Sequence, residues 1–286
     1  MNFSWDQQRR VAAIEHLEQS AWLRHVEWLS EIDSTNSLAR RQLAGGFDRW
    51  PGLFVADRQT AGRGRGANAW WSPPGCLMFS LVLGQEQLPL DATHWPQLSL
   101  VIGVAAAQAV EAELPGIEVQ LKWPNDVLIQ HRKLAGILVE SVRRSTDGGM
   151  AFVVGIGLNV AVDWSQADEV VRARACSLAN WAEHELSVES VLIRLIEHIE
   201  LAVNDWRTID AAGPISSVEA LQSNVGAWWQ AWSQRSVLTG RTVELRLPNA
   251  QRLVGTCSGI NSRGHLLLSD HGQLLTVQSA EVIGWH

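Results

Sequence analysis

Apolar residues recur along this chain at two spacings, one typical of helices and one typical of strands. Val11, Ile14 and Leu17 lie three residues apart, which predicts an amphipathic helix over residues 5–23. Similar spacing, with start and stop signals, predicts helices over residues 33–43, 96–114, 187–206 and 217–232. Short apolar runs predict strands over residues 27–32, 53–57, 76–83, 119–122, 127–129, 134–141 and 152–160, the last of them interrupted at Gly155 and Gly157.

The pattern changes after Ser236. Short apolar runs separated by turn signals predict strands over residues 242–247, 253–258, 265–268, 274–278 and 282–283. Regularly spaced short strands of this kind are typical of a small all-β barrel. We therefore predict a larger region of helices and strands, followed by a barrel that begins near residues 233–238.

Composition and charge narrow the class of protein. Of the 286 residues, 46% are hydrophobic, which is enough for a sizeable core. The formal net charge of −7 argues against a basic surface for nucleic acid. The polar N-terminus and the short apolar runs argue against a secretory signal and a membrane span. The three cysteines Cys76, Cys176 and Cys257 are far apart and odd in number, so we expect buried thiols in a cytoplasmic protein.

Charged residues interrupt the apolar runs in one segment, where Lys122-Trp-Pro-Asn-Asp126 is followed by Lys133-Leu-Ala-Gly136. Burying such groups without partners costs several kcal/mol, roughly 2–7 for polar groups and more for ions. A solvated turn and a solvated hairpin lysine are the structural alternatives. The functional alternative is a cluster that holds a charged ligand.

Gly62, Arg63, Gly64, Arg65 and Gly66 form a second basic segment after a predicted strand. A dinucleotide fingerprint needs a helix directly after the glycines, and a Walker loop needs Gly-Lys-Ser/Thr; neither follows here. The segment is either a solvated surface loop or a loop that orders over an anion, because its glycines expose backbone N–H groups and guanidinium groups bind carboxylate or phosphate. Together with the lysine segment, it favours an anion site.

Two further motifs each have a structural and a functional interpretation. Ser34-Thr35-Asn36 at a helix start is usually a simple cap, but a helix start also binds small polar groups. Gly136, Gly155 and Gly157 within strands indicate either a bulge or the close approach of a ligand or another backbone. The sequence alone leaves both pairs of alternatives open.

In this order, Ser-Thr-Asn, Gln-x-Ala-Gly-Arg-Gly-Arg, Lys-Trp-Pro-Asn-Asp, Arg-Lys-Leu-Ala-Gly and Gly-x-Gly-x-Asn resemble the motifs of biotin protein ligases, over residues 31–160. The resemblance implies an α+β fold, with a mixed β-sheet and helices as in biotin and lipoate ligases, followed by a small SH3-like β-barrel. It implies an N-terminal helical extension over residues 1–30, a catalytic domain over 31–235 and the barrel over 236–286.

The resemblance also implies a reaction in two steps. ATP and biotin form biotinyl-5′-AMP with Mg²⁺, and the biotin then passes to a lysine of a biotin carboxyl carrier domain of a biotin-dependent carboxylase. Only about 30 residues precede Ser34, too few for the winged helix of the ligase–repressors, so we expect no binding of nucleic acid. The oligomeric state stays open, a homodimer included. A non-catalytic biotin sensor and a related lipoate or acyl ligase are the alternative functions.

Individual residues acquire expected roles from the resemblance. Biotin-binding positions match Ser34, Thr35, Asn36, Gln59, Gly62, Arg63, Gly64, Arg65, Lys133, Gly136, Gly155 and Gly157. ATP-binding positions match Arg63, Arg65, Trp70, Lys122, Asn125, Asp126, Lys133 and Asn159, with Trp70 near the adenine and Asp126 as the candidate ligand of Mg²⁺. The catalytic positions match Lys133, at the reacting carboxylate and α-phosphate, and Arg63 and Arg65.

Two departures from the family pattern concern the basic residues. Residues 66–69 read Gly-Ala-Asn-Ala where many relatives carry further arginines or lysines. Trp285 stands near the end of the last predicted strand, where some relatives carry an arginine. Both departures remove positive charge that the family places around the adenylate.

Overall fold

The computed structural model of the chain describes residues 7–89, 92–208, 226–270 and 272–286. The helices are α1 (Gln7–Glu18), α2 (Thr35–Ala44), α3 (Leu98–Glu113), α4 (Glu169–Arg174), α5 (Val188–Arg207) and α6 (Gly226–Arg235). The strands are β1 (His25–Leu29), β2 (Gly52–Ala56), β3 (Cys76–Gly84), β4 (Gln120–Lys122), β5 (Asp126–Ile129), β6 (Arg132–Arg143), β7 (Met150–Asn159), β8 (Thr242–Arg246), β9 (Arg252–Ile260), β10 (Leu266–Asp270), β11 (Gln273–Val277) and β12 (Glu281–Trp285).

Strands β1 to β7 form one mixed sheet, the main sheet, in the order β1-β2-β3-β7-β6-β5-β4. β1 and β2 are parallel, and the other neighbouring strands are antiparallel. Antiparallel neighbours need only short connections, which is why β4 to β7 follow one another directly along the chain. β3 lies inside the sheet and all of its residues are buried.

The two faces of the main sheet pack against different helices. Leu77, Phe79 and Leu81 of β3 belong to the large core that contains α3 and α5, whereas Val82 packs with Leu38 of α2 on the opposite face. This separation follows from the strand geometry, since successive side chains point to opposite faces. The face that carries α2 is the one on which the candidate site lies.

Strands β8 to β12 form an antiparallel sheet in the order β11-β10-β9-β8-β12, here named the C-terminal sheet. It packs directly beside the main sheet. The indole N–H of Trp123 donates to the carbonyl of Gly264 at 3.0 Å, and the N–H of Val237 donates to the carbonyl of Leu121 at 3.0 Å. These contacts join the connection between β9 and β10, and the segment before β8, to β4 and to the residue that follows β4.

The α+β architecture with a mixed sheet is confirmed, but one predicted detail is wrong and one short helix was not predicted. β7 is continuous, because Gly155 pairs with Ser80 on one side and with Leu138 on the other. Helix α4 escaped prediction, since six residues are too few for helical spacing to be visible. Residues 217–225 of the last predicted helix, and residues 5 and 6 of the first, lie outside the described residues.

Two bulk expectations can be compared with the structure. Cys76, Cys176 and Cys257 are free and buried, as predicted. Within the described ranges, no helix has the length and apolarity that crossing a membrane requires. The limits of the three predicted domains, at residues 30 and 235, stay predictions.

Candidate functional site

A cavity of about 560 Å³ lies between the α2 face of the main sheet and the C-terminal sheet. Its wall combines residues that are far apart in sequence but adjacent in the fold. The predicted residues that line it are Ser34, Thr35, Asn36, Gln59, Arg63, Gly64, Arg65, Trp70, Lys122, Asn125, Asp126, Lys133, Gly136, Gly155 and Gly157. Gly62 and Asn159 lie beside the cavity rather than on its wall.

The start of α2 brings buried hydrogen-bonding groups to one end of the cavity. Thr35 donates to Oε1 of Gln59 from its backbone N–H at 2.8 Å and from its hydroxyl at 3.2 Å. The hydroxyl of Ser80 on β3 donates to Oδ1 of Asn36 at 2.6 Å and lies 2.8 Å from Oγ1 of Thr35. Gln59, rather than the side chain of Ser34, therefore satisfies the helix start, and the simple capping interpretation does not account for this motif.

Glu140, near the end of β6, connects this polar end to residues 62–69, here named the glycine–arginine loop. Its carboxylate accepts from Nδ2 of Asn36 at 2.9 Å and from Arg40 at 3.2 Å. It also accepts two hydrogen bonds from Arg63, at 3.1 and 3.0 Å. Bidentate pairs of this kind fix orientation as well as charge. Glu140 therefore holds the guanidinium of Arg63 beside the Asn36 end of the cavity.

Two lysines converge on one carboxylate at the opposite end. Nζ of Lys133 lies 2.6 Å from Oδ1 of Asp126, and Nζ of Lys122 lies 3.9 Å from Oδ2. Burial lowers the pKa of Lys122, and the nearby Asp126 partly offsets that effect. The ammonium group of Lys122 also lies 4.6 Å from the ring centre of Trp285, which favours its charged form. This end of the cavity is therefore basic.

Arg65 reaches from the loop to the C-terminal sheet. Its guanidinium donates to the carbonyl of Ala280 and to the hydroxyl of Ser279, both at 2.6 Å. Burial lowers the pKa of Arg65, while Glu281 and Asp126 act in the opposite direction. The residue closes the cavity on its loop side and joins the two sheets across it.

The glycines of β6 and β7 form a shallow floor on which Trp70 lies. Gly136 and Gly157 are paired across the two strands. A Cβ atom on Gly157 would come within 3.0 Å of the ring of Trp70, closer than Cβ atoms come in proteins. Of the two interpretations of these glycines, close approach is therefore the one that holds, and the group that approaches is the side chain of Trp70. The expected roles of Gly136 and Gly157 against biotin, and of Trp70 against adenine, stay predictions.

Three of the predicted site residues form hydrogen bonds with backbone groups around the cavity. Asn125 donates from Nδ2 to the carbonyl of Ile137 at 2.8 Å, and Asn159 donates to the carbonyl of Lys133 at 3.4 Å. The carbonyl of Gly62 accepts from the N–H of Trp70 at 2.9 Å. These bonds hold the strand that carries Lys133 and the loop segment that carries Trp70.

Sequence reasoning missed several residues of the site. Ser80 is a lone polar residue within an apolar strand, and Glu140 ends a buried strand segment; both are visible as exceptions to the local pattern. Arg246 and Glu281 line the cavity from the C-terminal sheet, and nothing in their local sequence indicates it. The arrangement combines a neutral hydrogen-bonding end with a basic end. Such a cavity suits a ligand with a polar uncharged head that reacts beside phosphates.

Comparison with known proteins gives the family. A model described as the biotin/lipoate A/B protein ligase family matches residues 28–159. A biotin–(acetyl-CoA-carboxylase) ligase of Mycobacterium tuberculosis is 30% identical over 266 residues, which cover 92% of this chain and 90% of that protein. The bifunctional ligase/repressor BirA of Escherichia coli is 30% identical over 90% of this chain and 73% of its own length.

The fold agrees with the sequence. The structure of a biotin protein ligase from Aquifex aeolicus in complex with biotin and ATP superposes with a TM-score of 0.70 at 26% identity, covering 92% of this chain and 99% of that chain. The similarity extends through the C-terminal sheet as well as the main sheet, in line with the predicted SH3-like domain. Sequence and fold together show that the chain belongs to the biotin protein ligase family.

Proposed function

We propose that this chain is an ATP-dependent biotin ligase, which forms biotinyl-5′-AMP and transfers the biotin to a lysine of a biotin carboxyl carrier domain. The family membership supports this function, and the similar protein of Aquifex aeolicus is described with biotin and ATP bound. The observation that carries the proposal is the single cavity that joins the polar start of α2 to the cluster of Lys122, Asp126 and Lys133.

The polar end fits the ureido ring of biotin. Ser34, Thr35 and Asn36 are each at most 3% exposed, so their hydrogen-bonding groups depend on partners within the cavity or the protein. A ureido group offers N–H donors and a carbonyl acceptor to such a site. A dithiolane ring, as in lipoate, offers neither and would therefore gain no hydrogen bond at this end of the cavity.

The basic end fits the chemistry of adenylation. One carboxylate oxygen of biotin attacks the α-phosphorus of ATP and forms an oxygen–phosphorus bond. The bond between the α-phosphorus and the bridging oxygen breaks, and pyrophosphate leaves. Both reactants are anions, so positioned cations are the main requirement. Lys133 is the group assigned to the reacting oxygens, because Asp126 holds its ammonium at the cavity wall. Arg65 flanks the same space from the loop, whereas Arg63 lines the cavity nearer to its Asn36 end, where Glu140 holds it.

Magnesium enters this proposal as part of the ATP substrate. Over the described part of the chain, no three His, Cys, Asp or Glu side chains cluster as a metal site. Asp126 offers one carboxylate on the cavity wall, and Mg²⁺ typically combines one or two carboxylates with substrate phosphates and water. The residues therefore fit a magnesium ion carried by the phosphates, with one oxygen from Asp126.

The second step consumes the adenylate. The ε-amine of the acceptor lysine attacks the acyl carbon, an amide forms, AMP leaves and the nitrogen loses a proton. The mixed anhydride must be shielded from water until then. The glycine–arginine loop covers the cavity, and Arg65 joins it to the C-terminal sheet, so this loop is the element assigned to shielding.

ATP–pyrophosphate exchange tests the first step with the purified full chain. We expect exchange that requires biotin and is not supported by lipoate. Transfer of labelled biotin to a carrier domain then tests the second step. Binding of biotin without exchange would overturn the proposal in favour of a sensor, and exchange driven by lipoate would move the chain to the lipoate ligases.

A further inference from the structure

Arg246, the last residue of β8, places a positive charge on the cavity wall from the C-terminal sheet. Its Nη1 lies 3.2 Å from Oε2 of Glu281 on β12, and the two residues face each other across the strands. The side chain of Arg246 is 50% exposed. The guanidinium is therefore held at the cavity while a large part of its hydrogen-bonding capacity remains accessible.

Arg246 belongs to a cluster of opposite charges that involves both sheets. Glu281 and Asp126 both act electrostatically on Arg65 and on Lys122, partly offsetting the burial that lowers the pKa of each. The four basic side chains at this end are Arg65, Lys122, Lys133 and Arg246, against the carboxylates of Asp126 and Glu281. The basic groups outnumber the acids, so this end of the cavity attracts an anion with several charges.

Residues 66–69 of the loop contribute none of that charge. Residues 66–69 line the cavity, but their side chains are those of Gly66, Ala67, Asn68 and Ala69. A triphosphate needs several positively charged groups or N–H donors around it. The C-terminal sheet supplies a guanidinium, that of Arg246, to the wall of the same cavity. A planar guanidinium can bind two phosphate oxygens at once, which suits it to this task.

We propose that Arg246 binds the polyphosphate of ATP, with Glu281 orienting its guanidinium in the cavity. The inference rests on the proposed adenylation reaction and adds to it a binding residue from the C-terminal sheet. The sheet thereby takes over a part of phosphate binding that residues 66–69 of the loop cannot provide. Arg65, which contacts Ala280 next to Glu281, lies beside the same site.

The simpler interpretation is a cross-strand ion pair with no role in binding. Exposed pairs of that kind contribute little to the stability of a fold. The hairpin of β8 and β9 contains a second ion pair for comparison. Arg252, the first residue of β9, lies opposite Arg246 of β8 and pairs with Glu244 at 2.8 Å. That pair lies outside the cavity lining, whereas Arg246 and Glu281 are both part of it. The position of Arg246 distinguishes it from a surface pair.

The test compares Arg246→Gln with the matched control Arg252→Gln in biotin-dependent ATP–pyrophosphate exchange. We expect Arg246→Gln to raise the KM for MgATP about tenfold, as the loss of one charge-assisted contact predicts, and to leave the KM for biotin unchanged. Arg252→Gln should behave as the unmodified protein. Arg246→Lys should recover part of the affinity, because it restores the charge without the planar fork.

Calorimetric binding of inorganic pyrophosphate measures the same contact without turnover. We expect Arg246→Gln to bind it more weakly than Arg252→Gln does. Equal KM values for MgATP and equal pyrophosphate affinities in the two variants would overturn the inference and leave the proposed function intact. A raised KM for the carrier domain alone would also overturn it. Failure of the unmodified protein to exchange would instead count against the proposed function.

Discussion

Nζ of Lys133 lies 2.6 Å from Oδ1 of Asp126, across the pairing of β5 with β6. Asp126 also lies opposite Lys122 of β4, so one carboxylate stands between lysines from both neighbouring strands. Three adjacent strands thereby present two cations at fixed positions. Cations that are oriented before the substrates arrive stabilise developing charge without reorganisation.

Replacing Lys133 by alanine should therefore abolish most adenylate formation. Removal of one positioned group of this kind typically lowers kcat by roughly 10²–10³-fold. The neighbouring Arg132→Ala is the matched control, because the side chain of Arg132 contacts the carbonyl of Arg172 rather than the cavity. Biotinyl-AMP synthesis is measured by single-turnover chromatography. Normal synthesis by Lys133→Ala would remove this residue from the reaction.

Arg65→Gly should increase the rate at which the adenylate is lost from the protein. The substitution removes both hydrogen bonds to Ser279 and Ala280, so the loop is no longer joined to the C-terminal sheet. We expect at least a tenfold faster off-rate for biotinyl-AMP, measured by filtration of the preformed complex. Arg58→Gly is the control, since the exposed Arg58 pairs with Glu31 at 2.7 Å and does not line the cavity. An unchanged off-rate in Arg65→Gly would contradict the role of this contact.

The sequence predicted one anion site from the lysine segment and the glycine–arginine segment, and the structure brings both segments to one cavity, while the roles of the individual residues stay predictions. Lys122, Asp126 and Lys133 meet because they lie on β4, β5 and β6, which follow one another along the chain and pair in that order, a relationship that local spacing already implies. Gly155 was misjudged because a glycine weakens an isolated strand, whereas β7 has a hydrogen-bonded partner on each side. Tertiary pairing outweighed the local preference there.

Long-range contacts explain what the sequence could not predict. Arg63 and Glu140 are 77 residues apart in the chain, and Arg65 and Ala280 are 215 apart. No periodicity links such positions, because each contact depends on how the loop crosses the sheet and how the C-terminal sheet docks. The contribution of Arg246 to the cavity wall belongs to the same class.

The pH dependence of kcat/KM for MgATP should reflect the titration of Lys122. Burial lowers its pKa from the ordinary 10.5, so its charge is lost at a lower pH than that of a solvated lysine. We expect kcat/KM for MgATP to fall on the alkaline side, starting below pH 10.5, and Lys122→Arg to move that limb to higher pH. A folded pKa below the unfolded one means that the charged lysine destabilises the fold, and that this penalty decreases as the pH rises from the folded pKa to the unfolded pKa. Deprotonation of Lys122 does not destabilise the fold, so unfolding caused by this residue does not explain the fall of kcat/KM at alkaline pH.

The full pH profile of Lys122→Arg should be compared with that of the unmodified protein after normalisation, since the larger guanidinium also changes the absolute rate. Thermal melts at each pH exclude loss of structure. Identical alkaline limbs in the two proteins would assign the titration to another group.

Gly155→Ala should impair biotin binding and stability together. A Cβ atom at this position would come within 3.0 Å of Asn36, whose amide is fixed by Ser80 and Glu140. Because the backbone of β7 is paired on both sides, Asn36 must move. Overpacking of this kind costs about 1–3 kcal/mol in the free energy of unfolding, and we expect the KM for biotin to rise more than tenfold.

Gly103→Ala provides the matched control for that variant. Gly103 lies inside α3, and a Cβ atom there would meet Ile137 and Leu121 at 3.7 Å, an ordinary contact. Alanine is favoured over glycine within a helix, so we expect a gain of about 0.4–1 kcal/mol in the free energy of unfolding and unchanged kinetics. Denaturant titration and steady-state assays measure both variants side by side. If Gly155→Ala matched Gly103→Ala in stability and in KM for biotin, the packing of Asn36 against β7 would have no part in binding biotin.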